Sequence, residues 1–198
     1  MDDLLNVALN ESTVLGLRQR PDGGVALLLE VLALPETPDD RRLLIMSGVS
    51  SVRVLLRRDP MSEGYGPPIP LADFDAVEAF FASITVSQSM YGWKFLDSPE
   101  LTEDWPTNVS FEVQSAGPGS HSLYWFNEAR VGSELYCIEG TIEFETLSVT
   151  YSDGTPLPLE DFAAAGKRWW DALYQRSQPS KLRRAVRRFI AAPFDGRV

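Results

Sequence analysis

The sequence predicts an α+β fold that consists mainly of antiparallel β-sheet, and two features support this prediction. Several runs of strand length alternate apolar and polar residues, and Gly/Pro-rich turns separate them, as in consecutive hairpins. Two later segments have helical periodicity, and both open on Pro-Leu-x-Asp-Phe, at Pro70 and at Pro158. We expect helices to start there, because proline suits the first helical turn and the acids behind it suit the positive end of the helix dipole.

The same order of elements occurs twice along the chain. Strand, Gly/Pro turn and second strand are found in VLGLRQRPDGGVALLLEVLA from Val14 and in VSFEVQSAGPGSHSLYWFNEA from Val109. Each segment continues with two more strands and then with one of the helices. We therefore predict a single globular domain, residues 1–198, made of two similar ββββα halves, 14–83 and 109–176, that superpose. The alternative is one irregular α+β domain whose hairpins resemble each other by chance.

The composition favours a folded protein of the cytoplasm. With 198 residues, 44% of them hydrophobic, the chain is long enough to bury a core. Its one cysteine cannot form an internal disulfide, and no apolar run approaches the roughly 20 residues of a membrane span. The N-terminus MDDLLNVALNES is acidic where a secretory signal is basic. We therefore expect an intracellular protein without a transmembrane segment.

The charge of the chain is distributed unevenly. Residues 181–198 carry six Arg or Lys against one acid, a net charge of +5, and subtracting this from the chain total of −10 leaves −15 on residues 1–180. A body this acidic repels nucleic acid and anionic membranes and attracts a basic protein partner. Nucleic acid is therefore an expected partner only for the basic tail, where the charge has the opposite sign.

The tail predicts an amphipathic helix over residues 181–192. KLRRAVRRFIAAPF, from Lys181, has apolar residues at helical spacing and basic residues on the remaining surface. We expect the helix to dock on the acidic body through its apolar stripe, which is Leu182, Ala185, Val186, Phe189 and Ile190. The alternatives are a partner groove, an anionic membrane or a nucleic-acid backbone, bound through Arg184, Arg187 and Arg188.

The only histidine and the only cysteine lie in one stretch, GSHSLYWFNEARVGSELYCIEGTIEFE, residues 119–145, which predicts a hairpin that turns at Gly132. Symmetric closure places residues whose numbers sum to 263 opposite each other, so Cys137 faces Phe126. His121 and Cys137 then lie on opposite faces about 17 Å apart, too far for a nucleophilic pair. The core face carries His121, Leu123, Trp125, Asn127, Tyr136, Ile138, Ile142 and Phe144, and the mixed face includes Tyr124, Phe126, Glu139, Glu143 and Glu145.

Carboxylates remain as the main candidates for catalysis. One histidine and one cysteine exclude zinc sites built from several His and Cys, and no P-loop, dinucleotide-binding or EF-hand pattern occurs, so we expect no cofactor and no metal. Glu143 and Glu145 alternate on one strand face roughly 7 Å apart, which suits an inverting glycosidase, and Tyr124 is placed to stack on a sugar ring. The alternative is that these acids only make the solvent-facing side of the strand soluble. His121 is a candidate general base, and the alternative is a polar group at the margin of the core.

We predict a non-enzymatic interaction protein whose acidic surface engages a basic protein partner, with Tyr124 and Glu139 among the binding residues. An inhibitory or neutralising role is one form of this prediction. The alternative is a carboxylate-based hydrolase that acts on saccharides. A cleft lined by paired acids and exposed aromatics, with a raised carboxylate pKa, favours the hydrolase, whereas a convex or flat acidic face favours the binding protein.

Overall fold

The structure is a computed structural model, and it describes residues 2–33, 39–58, 66–92, 94–103, 105–115, 117 and 119–177. The predicted tail helix, 181–192, lies outside these residues. The described elements, in chain order, are α1 (Asp2–Leu9), β1 (Thr13–Gln19), β2 (Val25–Glu30), β3 (Arg41–Ser47), β4 (Ser51–Arg58), α2 (Phe74–Ser83), β5 (Val86–Ser87), a 3-10 helix (Pro99–Thr102), β6 (Phe111–Gln114), β7 (His121–Val131), β8 (Glu134–Phe144), β9 (Thr146–Tyr151), β10 (Pro156–Leu157) and α3 (Leu159–Ser177).

In the described part of the chain, the strands form two antiparallel sheets of five strands each. Sheet A has the order β1-β2-β3-β9-β10, and sheet B has the order β5-β7-β8-β4-β6. The predicted α+β class with mainly antiparallel sheet is therefore confirmed. Both predicted helices are present, and α3 starts at Leu159, directly after Pro158. α2 starts only at Phe74, so Pro70 lies before this helix and not in its first turn as predicted. Asp73 is the N-cap of α2, where its side chain accepts a hydrogen bond from the N–H of Ala76.

The chain crosses between the two sheets after the β2–β3 hairpin and again after the β7–β8 hairpin. β4 follows β3 in the chain but pairs with β8 in sheet B, and β9 follows β8 but pairs with β3 in sheet A. Val52 thus lies opposite Ile142 and Leu44 lies opposite Val149. Because the chain crosses between the sheets in this way, each sheet contains strands from both the first and the second half of the sequence.

The predicted repeat of two ββββα halves is not confirmed. β1 pairs with β2, but β6, its predicted counterpart in residues 109–176, pairs with β4 and not with β7. The edge of β7 is taken instead by β5 and by Leu96, which forms a bridge with Leu123. Alternation along a strand determines which residues face the core, but the edge that a short strand joins depends on contacts with distant parts of the chain.

The inner faces of both sheets and apolar residues from α1, α2 and α3 form one core cluster. Trp125 on β7 is fully buried in it, and Gly140 lies opposite on β8. A Cβ atom at Gly140 would lie 2.7 Å from Cζ2 of Trp125 and 2.6 Å from the backbone oxygen of Arg53 on β4. Glycine at this position therefore allows the three strands and the indole ring to approach so closely.

Candidate binding cleft over sheet B

The β7–β8 hairpin places the mixed face on the outer side of sheet B. Its turn consists of two residues, Gly132–Ser133, and Gly132 has a φ of 59°. The predicted register is therefore wrong by two positions, and Cys137 lies opposite Glu128 rather than Phe126. A slip of two residues preserves the alternation of side chains, so the residues stay on the predicted faces.

The segment between β5 and β6 covers part of this outer face. The N–H of Tyr124 donates to the oxygen of Phe95, and the N–H of Asp97 donates to the oxygen of Ser122, both at 2.8 Å. A cleft of about 600 Å³, the sheet-B cleft, remains between this segment and the sheet. It brings together Tyr124 and Glu139, two predicted binding residues. The full lining is Arg57, Tyr91, Gly92, Lys94, Phe95, Leu101, Tyr124, Phe126, Glu128, Cys137 and Glu139.

The floor of the cleft is a buried ion pair. Nε of Arg57 on β4 lies 3.0 Å from Oε1 of Glu139 on β8, and the hydroxyl of Tyr124 donates to Oε2 at 2.9 Å. The side chains of Arg57 and Glu139 are only 13% and 4% exposed. Each of these buried charges compensates the other, because a buried ion without a counter-ion is strongly unfavourable. The hydrogen bond from Tyr124 also holds its ring in one orientation on the cleft side of the sheet.

Cys137 lies beside this ion pair, but it is not a nucleophile at neutral pH. Its Sγ is 4.0 Å from Oε1 of Glu139. Burial, and then the negative charge of Glu139, raises the pKa of the Cys137 thiol to about 12. His121 also lies far away: the strand partner of Cys137 is Glu128, which is about 24 Å along β7 from His121. A Cys-His nucleophilic pair is therefore excluded.

Aromatic rings form the walls of the cleft. Tyr91 packs edge-to-face on Phe126 with ring centroids 5.5 Å apart, and Phe126 lies 6.0 Å from the ring of Tyr124. Phe95 is buried behind them, whereas Tyr91 is 62% exposed. Stacked rings of this kind offer both an apolar surface and an electron-rich face to a ligand.

Helix α1 anchors the part of the wall around Phe95. The side-chain oxygen of Asn6 accepts hydrogen bonds from the N–H groups of Phe95 and Leu96 at 2.8 and 2.9 Å. The side-chain oxygen of Asn10 accepts one from the N–H of Gly92 at 2.9 Å. Both asparagines are buried. Because buried polar groups are costly to leave without partners, these bonds fix the position of the wall before any ligand binds.

The charges at the rim of the cleft are not balanced. Nζ of Lys94 lies 3.1 Å from Oε1 of Glu100, so this cation already has an anion. Glu128 is half-buried, and its side chain forms no ion pair or hydrogen bond with any residue that the structure describes. Since Arg57 is paired with Glu139, Glu128 is the charged lining residue that has no ion pair with any described residue.

His121 lies at the start of β7, outside the cleft. The rest of the predicted core face is buried or half-buried, but His121 is exposed. Its Nδ1 lies 3.0 Å from Oδ2 of Asp97, and Oδ1 of the same carboxylate accepts a hydrogen bond from the N–H of Ser122 at 2.8 Å. The imidazole ring also lies 5.9 Å from the ring of Phe144. His121 therefore occupies the margin of the core.

The carboxylates of Glu143 and Glu145 also lie outside the lining of the sheet-B cleft. The hydroxyl of Ser50 lies 3.5 Å from Oε2 of Glu143, and the hydroxyl of Ser120 donates to Oε2 of Glu145 at 2.8 Å. Each carboxylate thus has its own serine partner at the far end of β8. The tail residues predicted to bind, Arg184, Arg187 and Arg188, lie outside the described residues.

Sequence reasoning missed three residues that define the cleft: Arg57, Glu128 and Tyr91. Arg57 meets Glu139 across 82 positions of sequence, and no local pattern encodes such a contact. For the aromatic wall a signal does exist, because the stretch MYGWKF from Met90 concentrates large rings in a polar connection. The half-buried carboxylate of Glu128 has no comparable signal.

Among the described residues, no group of three or more His, Cys, Asp or Glu is placed to hold a metal ion. None of the helices in the described ranges has the length and the apolar character needed to cross a membrane. Comparison of the chain with protein-family models, with curated proteins and with solved structures finds no match.

Proposed function

We propose that the protein is a non-enzymatic intracellular binding protein whose acidic surface engages a basic protein partner. The supporting observation is that most cationic side chains of residues 1–180 form ion pairs within the chain, whereas many of the described acidic side chains do not. Residues 1–180 contain 12 Lys or Arg and 27 Asp or Glu. In the part of the chain that the structure describes, eight of these cations are paired with an acid of the same chain: Arg18, Arg20, Arg41, Arg53, Arg57, Arg58, Lys94 and Lys167.

Most of the described acids that remain are exposed, and they have no ion pair with a described residue. Examples come from several elements: Asp3 on α1, Asp75 on α2, Asp153 after β9, and Glu160 and Asp161 on α3. Such a distribution creates a negative potential around the whole body rather than one small patch. It attracts a basic protein over about a Debye length, roughly 8 Å at physiological salt, and speeds their association.

The first test is affinity capture from the native host with the full chain as bait, at low and at high salt. We expect the captured proteins to be basic and to be lost at high salt, because screening weakens attraction between exposed charges. An acidic partner, or one that binds equally well at high salt, contradicts the proposal.

A quantitative test then uses the purified partner and two sets of variants. Replacing Asp75, Asp153 and Glu160 by their amides should slow association, with a smaller effect on dissociation. The matched control is the double variant Arg18→Gln/Glu78→Gln, which removes an exposed ion pair but leaves the net charge unchanged. Equal association rates for both sets of variants would count against a role for the acidic surface.

One observation favours the second candidate, a carboxylate-based hydrolase that acts on saccharides. The sheet-B cleft combines two carboxylates, Glu128 and Glu139, with aromatic walls. However, Arg57 and the hydroxyl of Tyr124 already engage the oxygens of Glu139.

The hydrolase candidate is tested by incubating the protein with a panel of aryl glycosides. Turnover that Glu128→Gln abolishes would support it and would place the chemistry in the cleft. Turnover that Glu143→Gln abolishes would instead support the pair predicted from the sequence. Absence of turnover on every substrate of the panel removes this candidate and leaves the binding protein.

A further inference from the structure

We propose that the sheet-B cleft receives the side chain of one arginine of the basic partner, which stacks on the aromatic wall and pairs with Glu128. The inference rests on the proposed function, and it names the place and the chemistry of the central contact. Arginine is the cation that fits best, because its planar guanidinium group both stacks on rings and pairs with a carboxylate.

The aromatic wall supplies the stacking surface. Tyr91 is 62% exposed although its ring packs on Phe126 at 5.5 Å. A large, exposed ring held in place by a second ring is a contact surface that costs little entropy to use. A guanidinium group is attracted to such a ring when it lies within about 6 Å of the centroid.

Glu128 supplies the anion. Its carboxylate is half-buried at the cleft, with no ion pair among the described residues, while Arg57 and Lys94 are held by other acids. A partly desolvated carboxylate without a cation gains more from an incoming guanidinium than a fully hydrated one does, since the screening by water is weaker there. One positive charge from a partner would therefore neutralise the carboxylate of Glu128 in the cleft.

The protein already uses the same combination within its own chain. Cζ of Arg53 lies 5.7 Å from the ring centroid of Trp105, while Nε lies 3.3 Å from Oε1 of Glu112. A second example is Arg58, whose Cζ lies 5.6 Å from the ring of Tyr136 and whose Nη1 lies 2.9 Å from Oε2 of Glu134.

Both of these arginines project from β4, the strand that also carries Arg57 at the floor of the cleft. Sheet B thus contains two arginines that each lie near both a ring and a carboxylate. The lining of the sheet-B cleft likewise contains an exposed ring, that of Tyr91, and a carboxylate, that of Glu128, which an arginine from a partner can contact.

The wall is also preorganised for such a contact. Asn6 and Asn10 hold the backbone at Phe95 and Gly92 through hydrogen bonds of 2.8 and 2.9 Å. Two further backbone bonds, both 2.8 Å, join Met90 to the residues that follow α1. Because the wall does not have to be ordered on binding, little of the interaction with the arginine is lost to entropy.

The test titrates the full chain with N-acetyl-arginine amide and follows backbone amide shifts by NMR. The matched probe is N-acetyl-citrulline amide, which has nearly the same shape but no charge. We expect the arginine probe to shift amides of residues 90–95 and 124–128, and the citrulline probe to bind at least about tenfold more weakly. Equal binding of the two probes, or shifts spread over all exposed acids, would overturn the inference.

Variants assign the contact to its residues. Glu128→Gln and Tyr91→Ala should each weaken the arginine probe, and later the partner, by about tenfold. Glu30→Gln removes the same charge from sheet A and should change binding less than twofold. Circular dichroism checks that each variant is folded, and both cleft positions are partly or largely exposed.

The outcomes separate this inference from the proposed function. If the partner is basic and salt-sensitive but Glu128→Gln behaves like Glu30→Gln, the acidic surface stands and the cleft contact is wrong. If partner binding does not depend on salt, the proposed function fails, whatever the arginine probe does in the cleft.

Discussion

Glu139 and Glu134 form ion pairs from the same strand in very different surroundings. Glu139 pairs with Arg57 at 3.0 Å, and their side chains are 4% and 13% exposed. Glu134 pairs with Arg58 at 2.9 Å, but these side chains are 53% and 64% exposed. At nearly equal distance, water screens the second pair and hardly reaches the first, so the two contacts contribute differently to stability.

Replacing each acid by its amide tests this difference. Glu139→Gln should lower the free energy of unfolding by about 3 kcal/mol, because it removes the negative charge that lies 3.0 Å from the buried Nε of Arg57. Glu134→Gln should lower it by less than about 1 kcal/mol. Urea unfolding followed by tryptophan fluorescence measures both values. Similar small effects would mean that water reaches the floor of the cleft.

Cys137 predicts a pH dependence of stability. Burial, and then the charge of Glu139, raises the pKa of the thiol from 9.0 to about 12, so the folded protein keeps a proton that the unfolded chain releases. The stabilisation from this proton is complete below the unfolded pKa, near 9, and is lost as the pH rises towards 12. The free energy of unfolding should fall by about 1.4 kcal/mol per pH unit in this range.

The control for this prediction is Cys137→Ala, which cannot titrate. Tyrosines and lysines ionise at the same pH in both proteins, so only the difference between the two stability curves reports on the thiol. Urea unfolding at pH 8 and at pH 10.5 is sufficient. Parallel curves would show that the thiol is ionised as easily in the folded protein as in the unfolded chain.

At the scale of elements, α3 packs against α1, the helix that holds part of the cleft wall. A Cβ atom at Gly166 would lie 2.5 Å from both Cα and Cβ of Ala8, so the two helices touch through backbone and small side chains. Nε1 of Trp170 donates to the oxygen of Val7 at 3.1 Å and joins them a second time. Because α1 also holds the wall around Phe95, the position of α3 bears on the geometry of the cleft.

Gly166→Ala separates helix propensity from packing. Propensity alone predicts a gain of about 1 kcal/mol, because alanine is the better helix former. The close approach to Ala8 should outweigh this gain, since overpacking typically costs about 1–3 kcal/mol. We therefore expect a lower urea midpoint and faster hydrogen exchange in α1. A raised midpoint would mean that the helices separate without cost.

At the scale of the whole molecule, the acidic body, residues 1–180, and the basic tail, residues 181–198, have charges of opposite sign and can attract each other. The body also has an apolar groove of about 470 Å³ between α2 and the outer face of sheet A. It is lined by Leu15, Leu28, Leu43 and Phe81. A bidentate ion pair between Arg18 and Glu78 also forms part of its lining. The groove has the chemistry that an amphipathic helix with a basic surface requires.

We predict that residues 181–192, outside the described residues, form a helix that docks on the body through its apolar stripe. Burying one large apolar side chain contributes about 1.5–3 kcal/mol, whereas an exposed ion pair contributes about 0–1 kcal/mol, so salt should weaken docking only modestly. Phe189→Asp should therefore release the helix, and Arg187→Gln should have little effect.

The measurement is hydrogen exchange across the tail at low and at high salt, together with thermal melts of the full chain and of residues 1–180. Docking predicts protected tail amides and a lower melting temperature for the shortened chain. Equal melting temperatures and fast exchange throughout the tail would favour a partner groove, a membrane surface or nucleic acid as the binding site of the helix.

The sequence by itself determined the fold class, the presence of helices after Pro70 and Pro158 and the face on which the hairpin residues lie. Leu123, Trp125 and Ile138 are buried as the alternation predicts, and Tyr124 and Glu139 share the other face. These properties follow from local periodicity, because a strand or helix that borders both a core and water must repeat its apolar residues at the period of its backbone.

Only the tertiary structure decided the register of the hairpin, the strand that β6 joins and the membership of the cleft. Symmetric closure missed the two-residue turn at Gly132, and the repeat of hairpins did not show that β6 would pair with β4. The ion pair of Arg57 with Glu139 joins residues 82 positions apart. Such contacts depend on which distant segments meet, and the free energy that selects among them comes from packing and ion pairing between elements, which no local pattern contains.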